Sequence, residues 1–205
     1  MTAIRVIGVD CAAQPANVGI ALAELGTSGA RIVEATTGRS EDPATIIAGW
    51  LKGRHSGLLA LDAPLGWPLP FAQSLAGHRA GEPITVEPNA VFRRSTDRFV
   101  REKVGKQPLD VAADRIARAA HAALRLLDRV RELCDQPVPL LWGWGHLLEI
   151  GVIEVYPAAT LLAHRLRSSG YKKASQTHER SELLQGLGSM VRLPADTAAM
   201  RTSAD

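Results

Sequence analysis

The segment Gly57-Leu-Leu-Ala-Leu-Asp62 is apolar at nearly every position and ends abruptly in an acid. A strand with one face in water alternates apolar and polar residues. An unbroken apolar run of this length instead predicts a central strand buried on both faces, the pattern of parallel sheets in α/β proteins. A matching short run, Ile4 to Val9, ends in Asp10. At 205 residues the chain is long enough to bury a core around such strands without disulfides or structural metals.

The surrounding pattern supplies the other layers. Asn17 to Leu25 and Arg31 to Thr36 read as two further strands, which with the first make a three-strand antiparallel meander joined by polar turns. Asp42 is a predicted N-cap with Pro43 at the first helical position, and Ile46, Ile47, Trp50 and Leu51 repeat at helical spacing behind it. A strand, helix and strand in this order form a crossover unit. Trp67 to Asp110 contains five prolines and reads mostly as loop, with a short helix near Phe71 to Leu75. The longest helix is expected over Leu109 to Leu133. Its apolar stripe runs through Leu109, Ala112, Ile116, Ala119, Ala120, Ala123, Leu127 and Val130, while arginines fill the other faces. Val152 to Val155 is a fifth strand, followed by helices over Ala158 to Arg167 and His178 to Gln185, the latter capped by Thr177.

Composition excludes several classes. The best apolar stretch, Gln136 to Leu148, holds two prolines and two glycines and is too short to span a bilayer. The amino terminus lacks the features of a secretory signal, and Cys11 and Cys134 fit no metal or redox spacing, so a reduced cytoplasmic setting is expected. The six histidines show no metal-ligand spacing, and Trp142-Gly-Trp144-Gly-His146 reads as a loop closing the core. Lys172 and Lys173 read as a surface pair. Charge is unevenly placed: Arg93 to Arg131 holds eleven Lys or Arg against five Asp or Glu. Arg-rich helices are often plain solvated faces, yet the planar guanidinium also suits phosphate.

Three carboxylates stand out by position. Asp10 follows the first strand, Asp62 follows the fourth, and Glu154 lies in the fifth. Parallel neighbours bring equivalent strand ends within about 5 Å, and ligands of open α/β sheets gather at these carboxyl ends. Like charges gathered there repel, and a hard divalent cation, Mg²⁺ or Mn²⁺, relieves the repulsion.

Four motifs occur in order: Gly8-Val-Asp10-Cys-Ala, Leu61-Asp62-Ala-Pro-Leu-Gly66, Phe92-Arg-Arg-Ser-Thr-Asp97 and Glu154-Val-Tyr-Pro157. Together they resemble the family known as domain of unknown function 429 (DUF429), predicted nucleases with an RNase H-like fold, over essentially the whole chain. The resemblance implies an RNase H-like mixed five-stranded sheet, order 3-2-1-4-5, flanked by helices, with a long insertion at about residues 67–145 between strands four and five. It implies a catalytic metal site at Asp10, Asp62 and Glu154 holding Mg²⁺ or Mn²⁺. It also implies phosphate contacts from the insertion's Arg93, Arg94, Thr96 and Asp97, with DNA or RNA as partner. The expected activity is metal-dependent phosphodiester hydrolysis.

The chain departs from such proteins at its end. They continue with an acidic helix after the last loop, whereas this sequence stops at Ser203-Ala-Asp205. Asp205 stands where that helix would begin and is expected as a weak fourth metal ligand. A single domain over residues 1–205 is expected, either self-associating as a homodimer through the face left open or cleaving feebly. Two other readings stay open: a nucleic-acid or partner-binding module with a degenerate site, and an actin-like ATPase-type phosphotransferase. The second would want more glycine after the fourth strand than Asp62-Ala-Pro-Leu-Gly66 provides.

Overall fold

The meander forms first along the chain. In a computed structural model, which describes residues 3–54, 56–143 and 150–194, β1 (Ile4–Asp10), β2 (Gly19–Gly26) and β3 (Gly29–Thr37) pair antiparallel in sequence order. α1 (Pro43–Leu51) starts where the sequence places it. The Asp42 side chain accepts the Thr45 backbone N–H at 3.1 Å, and Pro43 needs no acceptor at the first position. The chain then returns as β4 (Gly57–Leu61), parallel to β1, and later as β5 (Ile150–Glu154), parallel to β4.

The sheet has six strands, not the five expected. Its order is β5-β4-β1-β2-β3-β6, and β6 (Val191–Arg192) adds to the β3 edge in parallel with Ala30 and Arg31. Two residues carry no periodicity, so pairing with an existing edge creates this strand. At the opposite edge, Leu141 donates to the Val152 carbonyl and Val152 to that of Pro139. Gly151 permits the close crossing, because a Cβ there would sit 2.4 Å from the Leu141 side chain.

Between β4 and β5 come α2 (Leu69–Leu75), α3 (Pro88–Phe92), α4 (Ser95–Val104) and α5 (Asp114–Cys134). Only α2 and α5 are foreseen by the sequence. α4 escapes because Arg94, a poor N-cap type, precedes it; Asp97 reaches back instead and accepts the Arg94 backbone N–H at 2.9 Å. Gly105, left-handed at φ 72°, closes it. After β5 follow α6 (Pro157–Ala163), which ends before the expected Arg167, and α7 (Thr177–Gly188). Thr177 is the first residue of α7 rather than its cap, and no side chain caps that helix.

One face of the sheet carries the core. Ile7, Val9, Leu59, Leu61 and Val152 pack against Ile47 and Leu51 of α1 and Leu127 and Val130 of α5 in one buried cluster. The α5 stripe holds from Ala120 onward, but Leu109 is 68% exposed, because the helix begins five residues later than expected. β4 is central, as its composition requires, yet Leu58 and Ala60 are only half-buried. Trp142 is 86% exposed, so it does not close the core; Trp144 and His146 lie outside the described residues. No helix among the described residues is long and apolar enough to cross a membrane.

The two leucines of the sequence stripe give a direct test. Leu127→Ala, which empties a fully buried site, is expected to cost about 2–5 kcal/mol in urea denaturation. Leu109→Ala at its exposed position is expected to stay within about 0.5 kcal/mol of the parent.

Candidate functional site

Strand register decides which carboxylates meet. Val9 pairs with Leu61, and the Asp62 backbone N–H donates to the Val9 carbonyl at 2.9 Å, so Asp10 and Asp62 leave neighbouring parallel strands side by side. Glu154 pairs with Leu61, one residue short of that row. All three nonetheless border one cavity of about 480 Å³ at the carboxyl ends of the strands. Of the other expected residues, Arg94, Thr96 and Asp97 line the same cavity. Arg93 instead faces Asp110 at 3.6 Å, and Asp205 lies outside the described residues.

Glu154 is heavily engaged. Its Oε2 accepts from Arg94 Nη1 at 2.7 Å and from the Leu65 backbone N–H at 2.9 Å, while Oε1 accepts from Arg94 Nη2 at 2.7 Å. The same guanidinium donates to Asp97 Oδ1 at 2.7 Å and Oδ2 at 3.1 Å, and Asp97 is 2% exposed. Burial alone would ease the Arg94 proton off. Hydrogen bonds and charge from Glu154 and Asp97 outweigh it and raise the pKa, so the guanidinium stays charged. Arg94 and Asp97, expected to clamp phosphate, are therefore occupied with each other and with Glu154.

Among the described residues Asp10 and Asp62 have no such partner. Burial pushes the Asp62 carboxyl up from 3.8 to about 6, and the charges of Asp10 and Glu154 add to this while Lys172 opposes it. Lys172 is a surface lysine, as expected, and its charge acts on Asp62. The buried Arg180 on α7 donates to the carbonyls of Tyr171, Lys173 and Ala174, and so shapes the turn that presents it. Burial, then the charges of Asp62 and Asp10, push the Cys11 thiol up to about 12, so it keeps its proton in the neutral range. Burial and Asp62 likewise raise the pKa of Tyr156, which keeps its proton.

The sequence reading missed Arg115, Arg118 and Tyr156 around the cavity, and the charge that Lys172 sets against Asp62. The two arginines carry a signal in retrospect, since they sit one turn apart near the start of α5. Lys172 carries none, because only the packing of α7 brings it back. Among the described residues no three His, Cys, Asp or Glu side chains are grouped closely enough to enclose a metal ion. Asp10 and Asp62 still suit a hard cation: both offer only oxygen, and their repulsion is unrelieved by hydrogen bonds. Glu154 suits one less well, with its charge already met by Arg94.

A family model described as "Protein of unknown function (DUF429)" matches residues 8–205. The chain belongs to the DUF429 family. No curated protein and no solved structure matches this DUF429 chain. The matched region contains every residue of the cavity wall, from Asp10 to Tyr156.

Removing Arg94 should expose how much rests on it. In this DUF429 protein Arg94→Ala strands the buried Asp97 charge and is expected to cost about 3–5 kcal/mol by chemical denaturation. Arg93→Ala, whose partner is a half-exposed acid, should cost about 1 kcal/mol or less.

Proposed function

We propose that this DUF429 protein is a divalent-metal-dependent phosphodiesterase acting on nucleic acid, built on an RNase H-like sheet. The observation that supports it best is the unrelieved pair Asp10 and Asp62 at adjacent ends of parallel β1 and β4. In this reading Asp10 and Asp62 hold Mg²⁺ or Mn²⁺. A bound divalent ion supplies Lewis-acid polarisation of a phosphoryl oxygen and neutralises charge developing in displacement.

The chain's own residues do the rest. Glu154 is a positioning residue: through the Leu65 N–H it pins the loop that follows Asp62, and through Arg94 it fixes the first turn of α4. Arg115 and Arg118 border the cavity and attract the phosphate. Tyr156, protonated throughout the neutral range, offers a hydroxyl hydrogen bond to a phosphate oxygen. One observation favours a second reading, a nucleic-acid-binding module without catalysis: the third expected ligand is neutralised by Arg94.

Calorimetric titration with Mn²⁺ tests the central claim. Binding should be lost in Asp10→Asn and in Asp62→Asn, along with metal-dependent cleavage of a labelled oligonucleotide. Binding undiminished in both variants places the ion elsewhere. Binding without cleavage selects the second reading.

The raised pKa of Asp62 gives an independent check. The fold holds the Asp62 proton more tightly than the unfolded chain does, so in metal-free protein this group favours folding at low pH. That contribution fades as pH rises from about 4 to about 6 and stays absent above. The thermal midpoint of Asp62→Asn should therefore gain on the parent across this window, and saturating Mg²⁺ should close the gap by stabilising the parent. Parallel pH profiles would show that Asp62 is not held protonated by the fold.

A further inference from the structure

α5 carries a second surface beside the acidic cavity. Arg118, His121, Arg125 and Arg129 recur at intervals of three and four residues and are all exposed, so they form one cationic stripe along the helix. The stripe walls a groove of about 880 Å³, whose far wall is apolar and comes from Cys11 to Val18 and the first residues of α1. Arg118 lines both the groove and the acidic cavity, so the two adjoin. At a rise of 1.5 Å per residue the stripe runs about 16 Å from Arg118 to Arg129.

Two acids border the groove against its three arginines, so its net charge is positive by one. Asp42 is committed to α1, where its carboxylate accepts from the backbone N–H and hydroxyl of Thr45. Asp114 pairs with Arg118 at 3.0 Å, and Arg129 pairs with Glu132 at 2.8 Å, but both are solvent-exposed helix pairs that a phosphate readily replaces. Arg125 forms no ion pair among the described residues.

We infer that this groove binds the phosphodiester backbone of a single nucleic-acid strand and leads it to Asp10 and Asp62. A linear row of cations fits a linear polyanion better than it fits a compact phosphate ester, and the apolar far wall leaves room for sugars. The groove runs between two walls, which suits one strand more than a duplex. The direction of the strand rests on the phosphodiesterase reading; binding itself needs no metal.

Fluorescence anisotropy in EDTA tests this, with a labelled oligonucleotide of about 12 residues, single-stranded or annealed, over a salt series. Arg125→Ala combined with Arg129→Ala should weaken single-strand binding about ten-fold and lower the slope of log affinity against log salt by about two. The charge-matched pair Arg101→Ala and Lys103→Ala on α4, outside the groove, should leave both quantities as in the parent. Thermal midpoints confirm that each variant is folded. Equal losses in the two double variants, tighter binding of the duplex, or no binding by the parent at low salt would each overturn the proposal. Separate Mn²⁺ calorimetry keeps the two readings apart. Intact Mn²⁺ binding with oligonucleotide affinity indifferent to the stripe sinks the groove alone. Stripe-dependent affinity without Mn²⁺ binding upholds the groove and sinks the phosphodiesterase.

Discussion

The Arg94 guanidinium sits between two carboxylates from distant parts of the chain, Asp97 three residues on and Glu154 at the end of β5. A charge this deeply placed is tolerable only when its donors are used, and here both faces of the fork are. Glu154 adds a third attachment by accepting the Leu65 N–H. One carboxylate thus ties together the loop after β4, the first turn of α4 and the last residue of β5. α4 owes its seat to this junction, since it contributes little apolar surface of its own.

That junction also divides the acids of the cavity into two kinds. Glu154 is compensated by a fixed cation and by a backbone donor. Among the described residues Asp10 and Asp62 have neither, and the cation acting on Asp62 is the exposed Lys172. The difference appears in the Asp62 carboxyl, held at about 6 by burial and by its neighbour. A site that keeps two carboxylates in mutual repulsion is destabilised in proportion. In the proposed reading a bound cation relieves that repulsion.

α5 serves both layers. Ala120, Ala123, Leu127 and Val130 pack on the sheet beside α1, while Arg118, Arg125 and Arg129 lie on a flank that the packing leaves open. Fixing the apolar face fixes where the cations point. The same helix that closes the core therefore lays a positive row beside the acidic strand ends, with Arg118 common to both.

The sequence alone determined the elements with strong local signals: the meander, the Asp42-Pro43 start of α1, the apolar β4 and the amphipathic α5. It also marked Asp10 and Asp62, because an acid directly after a buried strand emerges at a predictable place. The tertiary structure decided what local pattern cannot carry. β6 exists only by pairing with the β3 edge, and α4 is capped from within by Asp97. Glu154 is set one residue out of the Asp10–Asp62 row by the β4–β5 register, and meets an Arg94 sixty residues away. Lys172 reaches Asp62 through the fold of α7. Alternation and capping act over a few residues and are written in sequence; register, ion pairing and burial act across the sheet, and exist only once the strands have met.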